Sequence, residues 1–138
     1  MASIEKSLII DATPETIWDA VRDVGAIHRR LAPGVVANTE MLTDTPFPTR
    51  RVTFAQGPVV DEIIVDVDEA RRRLVWSVRA DRFAHHNGAM QVHDADGGAR
   101  VTWIADVLPD ALAAVIEPMM EAAMQAMKRH LETEAVAA

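Results

Sequence analysis

Residues 100–134 read RVTWIADVLPDALAAVIEPMMEAAMQAMKRHLETE, and the hydrophobic period changes inside this stretch. From Arg100 to Val107 polar and apolar positions alternate. Val101, Trp103, Ala105 and Val107 share one side, and Arg100, Thr102, Ile104 and Asp106 the other. A period of two with one apolar side describes a strand covered on one face. After Leu108-Pro109 the period lengthens. Leu112, Ile116, Met119, Met120, Ala123 and Met127 gather on one face of a helix; Ala114, Glu117, Pro118, Glu121, Gln125, Lys128 and Glu132 gather on the opposite face. The spacing predicts an amphipathic helix from Pro109 to about Glu134, on the order of 37 Å long at ~1.5 Å per residue. Pro118 stands on its solvent side, where it removes one backbone hydrogen bond and is expected to bend the helix around what it covers.

What it covers is predicted upstream. Strands are read at Val35–Leu42, Arg50–Gln56, Val59–Val67, Arg73–Ala80, Ala84–His93 and Arg100–Val107, after a first strand at Ser3–Asp11. The breaks between them are turn chemistry: Asp44-Thr45-Pro46 with Pro48, Gly57-Pro58, Asp68-Glu69-Ala70 and Asp96-Gly97-Gly98. Such short connections make antiparallel neighbours. Leu74, Trp76 and Val78 share a side of their strand, and Val52 and Phe54 a side of theirs, so the sheet has one apolar face. Between the first and second strands, Thr13-Pro14 opens a short helix with Ile17, Val21 and Val24 as its stripe, and Ala26–Leu31 is read as a second short helix. The fold class is therefore α+β: a curved antiparallel sheet of about seven strands wrapped around a long C-terminal helix, with two short helices after the first strand.

Residues 1–138 make one domain, with no repeat or linker. There is no Cys and no Tyr, and the aromatics are three Trp and three Phe. That removes disulfides, thiol catalysis, Cys-ligated metals and a phenolic proton donor. Fourteen Lys and Arg against twenty-one Asp and Glu give a net charge of −7, which argues against nucleic acid or an anionic membrane surface as partner. The basic run Arg71-Arg72-Arg73 follows Asp68-Glu69 and reads as a solvated, locally paired turn. No signal pattern or membrane span is read, and the expected place is the cytoplasm.

A curved sheet gripping a long helix tends to leave a cavity, a usual site for an apolar ligand. The organisation resembles the START-like, helix-grip superfamily known as SRPBCC, and within it the polyketide cyclase/dehydrase-like group. The residues that carry the resemblance are Thr13-Pro14-Glu15-Thr16-Ile17-Trp18, Leu31-Ala32-Pro33-Gly34-Val35, Glu62, Val101-Thr102-Trp103 and Leu108-Pro109. The family usually has an aromatic before the proline of the second segment, where Leu31 and Ala32 stand here. Lipid and sterol carriers, polyketide cyclases, quinone binders and hormone receptors share this fold, so the resemblance implies a fold more sharply than a role.

The expected cavity wall is Phe54, Trp76, Met90 and Trp103 from the sheet and Ile116, Met119, Met120, Ala123 and Met127 from the helix, with His28 at one end. Four of the seven Met fall between Met119 and Met127, and thioethers adapt to irregular apolar shapes. His86 has the parity of Met90 and Val92, which points it inward as a general base or hydrogen-bond anchor. Asp61 has the parity of Ile63, Val65 and Val67 and is expected inward as its acid–base companion, whereas Glu62 is expected outside. The remaining histidines do not converge: His85 and His86 point to opposite faces, and His85 and His93 lie roughly 26 Å apart. No metal or cofactor is expected. Three roles are compatible: a carrier of a small hydrophobic molecule (lipid, polyketide, quinone or aromatic metabolite), a cyclase or dehydratase acting through His86 and Asp61, or an interaction protein with a closed interior. The scarcity of proton-transfer groups ranks binding first. The exposed faces suit a monomer, and a sheet edge would serve a homodimer.

Overall fold

The computed structural model describes residues 2–137. The strands are β1 (Ala2–Ile10), β2 (Val36–Met41), β3 (Thr49–Phe54), β4 (Val59–Asp68), β5 (Arg73–Arg79), β6 (His85–Ala95) and β7 (Gly98–Leu108). They form one curved antiparallel sheet in the order β1-β7-β6-β5-β4-β3-β2. Every neighbour except the β1–β7 pair is also a neighbour in sequence, so turn chemistry alone dictates most of the pairing. The β6–β7 hairpin turns through Gly97 (φ 79°) and Gly98 (φ 137°), conformations that side-chain-bearing residues rarely adopt.

Between β1 and β2 runs helix α1 (Pro14–Arg22). Thr13 caps it by accepting from the Thr16 N–H at 3.2 Å, and Pro14 fills the first position, where no N–H is needed. Trp18 Nε1 donates to Glu69 Oε1 at 2.6 Å, and Arg22 holds the same carboxylate at 2.7 Å, tying α1 to the β4–β5 turn. The second short helix is a single wide turn, Ile27–Leu31, closed by Ala32 N–H donating to Ile27 O at 2.9 Å. The basic run is paired: Arg71 with Asp68, and Arg72 with Glu15 and Asp94.

The long helix α2 spans Ala113–Ala137, after a tight turn at Asp110–Leu112. It lies against the inner face of the sheet and buries Ile116, Met120, Ala123, Met124, Ala126, Met127 and Leu131. Met119 and Leu112, toward its start, are only half-buried. At its far end Lys128 Nζ donates to Ile9 O at 2.9 Å, and Glu132 accepts from the Asp11 N–H at 2.9 Å, so α2 is anchored to β1. The C-terminal half is anchored to β1, and the N-terminal half borders an open cleft at Val115, Ile116, Met119 and Ala122.

One face assignment departs from the sequence expectation. In β4 the inward residues are Val60 and Glu62, while Asp61 lies on the outer face in an ion pair with Arg51 at 2.8 Å. The cause is a bulge between Ile64 and Asp66. Ile64 stands opposite inward Trp76 and Val67 opposite inward Leu74, an interval of three residues rather than two or four. Reading parity back from Val67 therefore inverts every residue before the bulge. Because β4 carries Val or Ile at both parities, its composition does not betray the inversion.

Candidate functional site

The inner face of the sheet is built from alternate residues whose partners across the ladder share that face. His86 stands opposite Val107, Met90 opposite Trp103 and Leu74, and Glu62 opposite both Arg50 and Val78. Trp76 stands opposite Gly88. A Cβ at Gly88 would meet the Trp76 indole, with Nε1 at 2.7 Å, so the absence of a side chain there is what lets the indole pack against β6 at this position. Trp76 and Trp103 then pack as a tilted pair with ring centroids 6.0 Å apart.

Between this wall and α2 lie two adjacent spaces. The inner chamber has a volume of about 70 Å³ and is lined by apolar side chains that include Leu31, Val36, Val52, Leu74, Trp76, Met90, Trp103, Ala123 and Met127. The outer cleft is about 500 Å³ and opens between the β3–β4 turn, the β5–β6 loop and the start of α2; Val35, Pro58, Val60, Phe83, Val115, Ile116 and Ala122 line it. Phe54, Glu62, Val78, His86 and Met119 border both. The cleft falls within the ~300–1,000 Å³ range of small-molecule sites, and the chamber behind it is far smaller.

The polar groups of this space are few and specific. Arg50 is 3% exposed and donates from Nε to Glu62 Oε1 at 2.8 Å, with Glu62 itself 7% exposed. Arg50 Nη1 donates to Val24 O at 3.2 Å, and the guanidinium lies 5.4 Å from the Trp76 ring centroid. Arg50 Nη2 and Glu62 Oε2 carry no hydrogen bond among the described residues. The pair is thus one-pronged, charge-compensated and enclosed in apolar surface. His86, 6% exposed, packs edge-on against Phe83 at 4.6 Å. Burial, reinforced by the neighbouring charges of His85 and Arg82, pushes its pKa down from 6.5 to about 4. The ring is neutral at pH 7, and its Nδ1 has no partner; Trp103 Nε1 is likewise buried without one.

Phe54, Trp76, Met90, Trp103, Met119, Ala123, Met127 and His86 thus come together on the chamber, and Ile116 lies on the cleft. Two expected wall residues lie elsewhere. Met120 is fully buried in the packing beneath α2, and His28, half-buried on the wide turn, has its backbone N–H on Thr39 Oγ1 at 3.3 Å and does not reach the cavity. His86 and Asp61 are not brought together, since Asp61 occupies the outer face. The residues that sequence reasoning missed are Arg50 and Glu62. Arg50 shares parity with Val52 and Phe54, which was a sufficient signal; Glu62 was hidden by the bulge. Among the described residues no group of three or more His, Cys, Asp or Glu is arranged to hold a metal ion, and no helix is long and apolar enough to cross a membrane.

A family model described as polyketide cyclase / dehydrase and lipid transport matches residues 1–135. Among solved structures, the protein XoxI of Bacillus cereus is 14% identical with a TM-score of 0.83, and the match covers 97% of this chain and 99% of that one. The Zhui aromatase/cyclase of a Streptomyces species is 18% identical with a TM-score of 0.77, covering 95% and 93%. A Thermobifida fusca protein is 24% identical with a TM-score of 0.76, covering 95% and 93%. At these identities the likeness establishes the helix-grip fold. No curated protein matches the sequence.

Proposed function

The chain belongs to the polyketide cyclase/dehydrase and lipid-transport family, and on that premise we propose that it binds a small hydrophobic molecule, with the bulk of the ligand in the outer cleft and one end reaching into the inner chamber. The observation that carries this reading is that the two spaces share a wall of Phe54, Glu62, Val78, His86 and Met119. An apolar body in the cleft removes Val115, Phe83 and Met119 surface from water at about 25 cal/mol per Å². Met119 and Phe54, both half-buried, stand between the two spaces. Ligands of the lipid, polyketide, quinone or aromatic-metabolite kind fit this lining. A cyclase-like reaction would need a proton donor beside His86. Asp61 does not supply one, so binding is the reading the geometry favours.

The test uses the tryptophans already in the wall. Titration of the full chain with the uncharged dye Nile red, and native mass spectrometry of freshly purified protein, should report an internal site, with Trp76 and Trp103 emission quenched as ligand enters. Ala123→Leu projects a larger side chain into the chamber. It should weaken binding by about tenfold or more while leaving the circular dichroism unchanged, since about 1.4 kcal/mol suffices for that factor. Absence of any saturable site in the wild type, or unaltered affinity in a folded Ala123→Leu variant, would overturn the reading.

A further inference from the structure

The Arg50–Glu62 pair says more than that the cavity has a polar spot. It sets the charge of the ligand. Arg50 and Glu62 are each more than nine-tenths buried and joined by a single hydrogen bond of 2.8 Å. They cancel in charge, and the rest of the inner chamber's lining is apolar apart from neutral His86 and the Trp76 and Trp103 indoles, while Gln56 and Arg82 stand farther out on the cleft. We propose that this site selects a ligand whose buried head is uncharged and hydrogen-bonding (an alcohol, phenol, ketone or ester) and rejects carboxylates and amines of the same chain length. The inference rests on the binding role proposed above.

The physical argument is compensation. A carboxylate reaching Arg50 Nη2 would make two buried anions share one guanidinium, in competition for its charge. Whichever anion loses is left buried without a counter-charge, a state far costlier than an unmade neutral hydrogen bond. An ammonium head meets the mirror-image problem, since Glu62 already serves Arg50. An uncharged head displaces nothing. Glu62 Oε2 stands free to accept from a hydroxyl, and Arg50 Nη2 stands free to donate to a carbonyl. The unpartnered His86 Nδ1 and Trp103 Nε1 add two further sites for neutral hydrogen bonding in the same wall.

The experiment is a matched series titrated against wild-type Trp fluorescence at pH 7.5: 1-decanol, methyl decanoate, decanoate and decylammonium. The alcohol and the ester should bind about tenfold or more tightly than the two ions. Glu62→Gln leaves Arg50 without its counter-charge and should invert the order, decanoate then binding more tightly than decanol. Wild-type decanoate equal to or tighter than decanol overturns the selectivity and leaves the binding role standing. If none of the four binds while Nile red does, the selectivity falls and the binding role stands; if neither binds, both fall. A folded Glu62→Gln variant with the wild-type order would also overturn the proposal, and where that variant does not fold the wild-type series alone decides.

Discussion

His86 gives the sharpest link between the interior and a solution measurement. Replacing it by Leu removes one titrating group from the cavity wall. In the folded chain burial, with help from the charges of His85 and Arg82, holds its pKa at about 4, against 6.5 when exposed. As pH falls through 6.5 the unfolded chain takes up a proton that the folded chain refuses until about 4. The unfolded state therefore binds more protons in that window, and stability must fall with falling pH. At about 1.4 kcal/mol per pH unit, the loss between pH 7 and pH 4.5 is roughly 2–3 kcal/mol. Urea unfolding followed by Trp emission at pH 7.0, 5.5 and 4.5 measures it. The difference between wild type and His86→Leu should shift in favour of the variant by about 1 kcal/mol at pH 5.5 and by roughly 2–3 kcal/mol at pH 4.5. The carboxylates Asp19, Glu69 and Glu132, whose pKa values are lowered by hydrogen bonds from Arg30, Arg22 and Lys128, lose stability on acidification in both proteins and cancel in the difference. Parallel pH curves for the two proteins would refute the reasoning, because they would mean that His86 titrates with water around it.

Two other substitutions probe how the wall is built. Gly88→Ala places a Cβ against the Trp76 indole, so it should destabilise by about 1–3 kcal/mol and alter the Trp emission, despite the better strand propensity of Ala; a variant as stable as wild type in urea would show that the indole has room to move. Arg50→Met strands Glu62 in the interior and should cost roughly 3–5 kcal/mol, whereas Arg50→Met with Glu62→Met should recover most of that loss. Thermal and urea unfolding of the three proteins check it, and a double variant as unstable as the sum of its parts would show that the pair is not a unit.

The long helix and the strand pairing were legible because both are written in periods that nothing interrupts. Residues 100–107 alternate, α2 repeats at helical spacing, and every turn carries Gly, Pro, Asp or Asn-like chemistry. Strand ends differ from expectation by a residue or two, and the second short helix contracts to one wide turn. The candidate site was legible only in its apolar part. Trp76, Met90, Trp103 and Met127 follow from parity, because β5, β6 and β7 are regular across those positions. Glu62 does not, because a bulge shifts parity without leaving a Gly or Pro to announce it. His28 failed for a different reason. The wide turn directs Ile27 and Leu31 to the cavity, and no helical stripe of two residues specifies which way the third will point. Local periodicity fixes faces within an element; it does not fix how one turn is rotated against the sheet.

The uneven packing of α2 explains why the polar pair sits where it does. Toward its C-terminus the helix is closed onto β1 by Lys128 and Glu132, and its inward side chains Met124, Met127 and Leu131 are buried. A buried ion pair in that half would have nothing to offset its desolvation. Toward the N-terminus the helix borders an open cleft of about 500 Å³. Arg50 and Glu62 line the chamber behind that cleft, with Arg50 covered on one side by Trp76 and capped by Val24 O. A pair needed only for stability would be better replaced by aliphatic side chains that fill the chamber. Its cost becomes intelligible if the open hydrogen-bonding positions of the pair are completed by a ligand head, which makes the neutral-head selectivity and the stability of the Arg50→Met/Glu62→Met variant two readouts of one arrangement.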